Sequence, residues 1–492
     1  MIRLDGHSLL PADLEAIAEG APCEADPAAL ARMAHNADRE PPSPTTVLER
    51  KRQWLVGGRS GEVPPEGLAR AFILGHCAGV GEPLPAGAVR ATIAARANVL
   101  LQGVSGCRPA AALALLDLLD GGPLPVVPCQ GSVGAAGDLA PLSHIAREAC
   151  GWGRRQTAFV PTAKEALALI NGVSLSAALA GLAVARLDRL LDSAVLAAAM
   201  SLEALGTDAG CIDARPQRLR GHKGAMAVAT TLRGLLEGSE AVRPGGEVGP
   251  FSLRCAPAVL GAAADALIYV RGVVEAELNG ASDNPLLVEG PLGLEWVEAG
   301  NFHGASLSMA MDQARLALAQ IATISERRTF RLSYGQLAPG LPSFLVQGTG
   351  LNSGFMLAQY TAASLTSELK GLCHPASVDA IPTIQHHEDH NSMATLSARL
   401  TTEALRCAED VVGIEVLLAA QALDLRIRGL AVGEDGTLGP ARPQVLPAPI
   451  ARAHARVRQD IAFWEDDGYL HPALVAAGAL VRSGALVEAA RA

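Results

Sequence analysis

Along the 492-residue chain, apolar residues recur mainly every three or four positions, the period of a helix with one buried face. The clearest run covers residues 174–205. Comparable runs cover about 254–279, 305–328, 354–371 and 391–425. Residues 4–32 carry shorter helical patterns with capping signals. Residues 206–250 read as looser, with Arg243-Pro244-Gly245-Gly246 forming a loop between long helices. No alternating run is long enough for a parallel sheet. The pattern predicts a mainly α fold, an elongated bundle of long antiparallel helices. Glu40-Pro41-Pro42-Ser43-Pro44 breaks the first region. Pro440, Pro443, Pro447 and Pro449 mark a linker to one or two terminal helices. The expected division is an N-terminal region at 1–205, a central bundle at 206–437 and a C-terminal linker with helices at 438–492.

Composition refines this picture. Apolar residues make up 49% and aromatics 3%, so the core is aliphatic. The net charge of −10 argues against non-specific binding to nucleic acid or an acidic membrane. The N-terminus lacks an apolar signal segment. The most apolar helical stretch, around 193–205, is short and interrupted by Glu203, so no membrane span is expected. Nine cysteines occur without a Cys-x-x-Cys pair, which fits a reducing, cytoplasmic location.

The chemistry centres on residues 131–144, Gly-Ser-Val-Gly-Ala-Ala-Gly-Asp-Leu-Ala-Pro-Leu-Ser-His. Three glycines allow backbone torsions that side chains forbid. Asp138 sits where an N-cap would sit, and Pro141 is tolerated in a first helical turn, so a helix is expected to begin here. The Gly-Lys-Ser/Thr ending of a phosphate loop is missing. The string closely resembles the signature of the histidine and phenylalanine ammonia-lyases. The resemblance runs from Leu4-Asp5-Gly6 to Met393, through Gly75-His76, Arg96-Ala97-Asn98, Gly103-Val104-Ser105-Gly106 and Ala168-Leu169-Ile170-Asn171-Gly172.

In that family an Ala-Ser-Gly triplet loses two waters and cyclises to methylidene-imidazolone, the electrophile of the reaction. The matching triplet here is Ala135-Ala136-Gly137. Alanine has no β-hydroxyl to expel, so no such prosthetic group is expected. Other implied elements are retained. Ser252-Leu253-Arg254-Cys255 matches the motif whose arginine grips the substrate carboxylate, a task suited to a planar fork of donors. Asn171 and Asn301, the latter in Asn301-Phe302-His303, match residues around the ring and substrate. Ser282-Asp283-Asn284-Pro285 matches a nearby loop, with Asn284 read as structural. His76 stands at the family's selectivity position. Glu388 matches an acidic residue of histidine lyases, and with His76 it suits a polar, titratable ring. In His386-His387-Glu388-Asp389-His390 the glutamate is displaced by one from the metalloprotease spacing, and no metal is expected.

Two further elements are lost. The family's tyrosine-bearing base loop is unrecognisable around residues 49–58, since no tyrosine precedes Tyr269. The Gln-Asp-x-Tyr that normally precedes Ser-Leu-Arg-Cys is Val248-Gly249-Pro250-Phe251, so a second tyrosine has become Phe251. Removing one acid–base group commonly costs on the order of 10²–10⁴ in rate. The resemblance therefore implies a family member without lyase turnover. It would bind an amino-acid-like ligand, or assemble with an active paralogous lyase as a hetero-oligomer. Self-assembly as the family's homotetramer is the other expectation. The alternative is an active lyase, acting on histidine or a related aromatic amino acid by a route that avoids the ring.

Overall fold

The computed structural model of the chain describes residues 1–37, 65–348, 350–384, 387–433 and 437–492. The proline-rich break at 40–44, the region at 49–58 where the base loop was sought, and His386 lie outside them.

Five long helices carry the described architecture: Ser174–Leu205, Ala256–Leu278, Ala305–Ser333, Met356–Leu372 and Ala394–Ile427. Each coincides with a periodic run in the sequence, because Ala and Leu combine high helix propensity with a side chain that can be buried. Strands among the described residues are confined to two-stranded pairs, such as Val80–Pro83 with Pro128–Gln130 and Leu286–Gly290 with Gly293–Val297. The mainly α expectation holds.

The chain forms two compact units, each discontinuous in sequence: residues 1–185, 270–312 and 375–402, and residues 186–269, 313–374 and 403–492. The first is built round helix Ala86–Leu101, which is buried on nearly every side. It packs against helices Pro11–Ala18 and Pro109–Leu116. In the second, residues 411–425 of the last long helix are wholly buried, as an all-round apolar helix must be. Its few polar side chains are matched: Glu415 receives two hydrogen bonds from Arg328, at 2.5 and 2.8 Å, with both residues fully buried. Gly413 lets this helix approach helix His471–Ser483 closely, since a Cβ there would stand 2.7 Å from the Gly478 nitrogen.

Three expectations need correction. Residues 206–250 are not simply loose, for they contain helices Ala214–Arg220 and Lys223–Leu235. Asp213 caps the first, and Gly221 ends it in the left-handed region with φ 81°. The tail carries three helices rather than one or two: Ala448–Asp460, His471–Ser483 and Ala485–Arg491. The most apolar long helix is Ala256–Leu278, not the stretch at 193–205. By length and composition it could cross a membrane, but so could a core helix of a globular protein, and it carries no membrane assignment.

Candidate active site

The first unit gathers most of the residues singled out from the sequence. The glycine-rich loop leads into helix Leu139–Ala149 as expected, with Asp138 at the N-cap position. Yet the Asp138 side chain caps nothing. Its carboxylate is fully buried and accepts from Ser132 Oγ at 2.9 Å, from Ser176 N at 2.8 Å and Oγ at 3.0 Å, and from Thr395 Oγ1. These donors outcompete the helix amides because they surround a charge that would otherwise be desolvated. Burial still raises the Asp138 pKa, with the hydrogen bonds from Thr395, Ser176 and Ser132 opposing it.

The triplet itself is held by backbone. Gly137 has φ 86° and lies against Gly172 so closely that a Cβ would stand 2.3 Å from that residue's backbone. The Asp138 amide donates to the Gly172 carbonyl at 2.8 Å, and the Gly172 amide to the Ala136 carbonyl at 3.3 Å. Asn171, which ends helix Ala163–Ile170, adds Nδ2 to the same Ala136 oxygen at 3.0 Å. Ala135 is buried and Ala136 half-buried. On the other side the Met393 amide donates to the Val133 carbonyl at 2.9 Å, and Ser392 Oγ to the Gly134 carbonyl at 2.9 Å. Met393 does so from a left-handed backbone, φ 53°, which is strained for a non-glycine residue.

Two further segments adjoin this clamp. Glu388 lies on the run that ends in Ser392 and Met393, half-buried, and its Oε2 accepts from Thr383 Oγ1 at 2.7 Å. Asn301 is exposed and donates to the Ala281 carbonyl at 3.2 Å. His303 packs edge-on against His390, ring centroids 5.6 Å apart, with its Nε2 3.2 Å from the His390 carbonyl oxygen. Gly304 brings this segment against the clamp, for a Cβ there would meet Ala394 Cβ at 2.7 Å and Ser392 Oγ at 3.2 Å. His76 ends helix Pro65–His76, which packs on helices Leu139–Ala149 and Ala163–Ile170. Its Nδ1 lies 2.6 Å from the Phe72 carbonyl.

Beneath the loop lie charges that sequence reading did not single out. Arg96 is fully buried, and burial lowers its pKa while Asp283, Cys107 and Asp138 oppose the shift. Glu277 is pushed up to about 7 by burial and by the charge on Asp138. No local motif marks Ser176 or Thr395 either, since they reach Asp138 from 38 and 257 positions away.

Arg254 and Phe251 belong to the second unit. Both are exposed on the short helix Phe251–Arg254, the Arg254 guanidinium carbon 5.3 Å from the Phe251 ring centre. Asn284 Oδ1 accepts from the Ala299 amide at 2.6 Å.

The family model for aromatic amino acid lyase matches residues 62–446. A histidine ammonia-lyase of Anaeromyxobacter sp. (strain K) is 42% identical over 451 residues, covering 86% of this chain and 85% of that protein. One from Symbiobacterium thermophilum is 39% identical, covering 100% and 98%. Among solved structures, histidine ammonia-lyase from Trypanosoma cruzi superposes with a TM-score of 0.85 at 35% identity, covering 100% of this chain and 95% of that one. Tyrosine aminomutase from Streptomyces globisporus also gives 0.85, at 28% identity over 99% and 98%. The chain belongs to the histidine ammonia-lyase family of aromatic amino acid lyases.

Proposed function

We propose that this chain is a catalytically degenerate histidine ammonia-lyase that binds a histidine-like amino acid without eliminating ammonia from it. One observation carries the reading: the residue in the ring-forming position is Ala136, in a loop whose Val133, Gly134 and Ala136 carbonyls and Asp138 amide are all hydrogen-bonded. The family's methylidene-imidazolone does not fit these residues, because its exocyclic carbon forms only when a β-hydroxyl leaves. The chain's own groups then bind rather than turn over. Arg254 would take the ligand carboxylate through two parallel charge-assisted hydrogen bonds. In the first unit, His76 and Glu388 suit a polar, titratable ring, and Asn171 and Asn301 would order the surrounding backbone. Phe251 has no hydroxyl with which to exchange a proton. We place the protein in the cytoplasm, as a homotetramer or beside a paralogous lyase.

Intact mass tests the first half: the chain should weigh what its sequence predicts. A deficit of two waters in the peptide spanning residues 135–137 would restore the ordinary lyase reading. Calorimetric titration with L-histidine tests the second half. The Arg254→Ala protein should lose most of the affinity, and an unchanged affinity would end the clamp assignment.

A second reading, turnover by a ring-independent route, draws support from the 42% and 39% identity to relatives named histidine ammonia-lyase. It needs a substrate whose amine departs without being activated by an electrophile. Steady urocanate production from histidine by a chain of unmodified mass would establish it.

A further inference from the structure

Phe251 stands where the resemblance places a tyrosine, and it carries no hydroxyl. The geometry gives the ring another use. Phe251 is 72% exposed. Arg254 lies three residues on, one helical turn away, with its guanidinium carbon 5.3 Å from the ring centre. At that distance the negative face of the aromatic quadrupole attracts the cation.

The turn carrying both residues is itself braced from below. Pro250 stands at its N-cap position, and the Pro250 carbonyl accepts from the Arg254 amide at 2.9 Å. The Ser252 carbonyl accepts from Arg328 Nη1 at 3.4 Å. Arg328 is in turn fixed by its doubly hydrogen-bonded, fully buried pairing with Glu415. Long arginine side chains lose rotamer freedom when they engage a ligand. A braced turn with an aromatic seat removes part of that loss before the ligand arrives.

We infer that Phe251 is a positioning residue: its ring seats the Arg254 guanidinium in the orientation that receives a carboxylate, so the position keeps a binding role after losing its hydroxyl. The inference rests on the reading of Arg254 as a carboxylate clamp. It specifies an aromatic face at position 251, not a hydroxyl and not merely bulk.

The test uses the full chain and two probes, L-histidine and L-histidinol, which lacks the carboxylate. Phe251→Leu should weaken L-histidine binding by about two- to five-fold, the effect of an exposed cation–aromatic contact, and leave L-histidinol binding unchanged. Phe251→Trp should retain or exceed wild-type affinity. Pentafluorophenylalanine at position 251, equal in shape but with its quadrupole reversed, should behave like leucine. Equal L-histidine affinity in the Leu, Trp and fluorinated proteins would overturn the inference while sparing the clamp. Parallel losses for both probes would also overturn it, by showing a general structural role. A wild-type chain that binds L-histidine no better than L-histidinol would overturn the clamp, and this inference with it.

Discussion

Replacing Glu277 by glutamine should make the protein more stable, by an amount that grows with pH. In the folded chain burial, aided by the charge on Asp138, raises this carboxyl from its ordinary 4.5 to about 7. An acid whose folded pKa is raised binds more protons folded than unfolded between those two values. Its contribution to stability is therefore complete below about pH 4.5, declines as pH rises to about 7, and stays lost above that. The gap amounts to about 3 kcal/mol, an upper figure because the side chain retains some contact with water. Glutamine keeps the shape and removes the charge. Wild type and Glu277→Gln should thus be equally stable near pH 4.5, with the variant ahead by up to about 3 kcal/mol near pH 8. The raised pKa of Asp138 acts in the same direction in both proteins and largely cancels in the comparison. Urea midpoints measured across this range at one protein concentration provide the assay, since apparent stability depends on concentration in an assembly. A stability difference that is flat with pH would refute the reasoning, and so would a wild type that overtakes the variant as pH rises.

Restoring Ala136→Ser alone should not yield ordinary histidine ammonia-lyase activity. The serine regains the leaving hydroxyl, but proton removal needs a positioned base, no tyrosine precedes Tyr269, and position 251 is Phe251. Near-ultraviolet absorbance of a ring without matching urocanate formation is the expected outcome, and family-like rates would show that another group serves as base. Gly137→Ala should destabilise the loop by about 2 kcal/mol or more. Its Cβ would stand 2.3 Å from the Gly172 backbone at a φ of 86°, and faster proteolysis within residues 131–138 would report the change.

Legibility followed the range of the forces involved. Helix Ser174–Leu205 was readable as a whole, because its apolar period is local. Helices Ala214–Arg220 and Lys223–Leu235 were missed. The first buries no residue, so no apolar period announces it, and its limits are set by Asp213 and Gly221 instead. At the site, the loop and Asn171 were legible as strings. The role of Asp138 was not, since a capping aspartate and a buried acceptor share one local sequence. Only Ser176 and Thr395, distant in the chain, decide between them.

That distance bears on how the protein is made. Thr395 closes on Asp138 from 257 positions downstream, and Ser392 and Met393 reach Gly134 and Val133 from slightly farther. At about 5–20 residues per second, a ribosome needs on the order of tens of seconds to deliver them after Asp138 emerges. Throughout that interval the nascent chain carries the complete signature string without half of its clamp, and Asp138 must keep its water. Any chemistry that depends on compressing this loop is thereby deferred until synthesis is nearly finished. A message cut short before codon 392 would encode every residue of the loop but only the part of its constraint that Asn171, Gly172 and Ser176 supply.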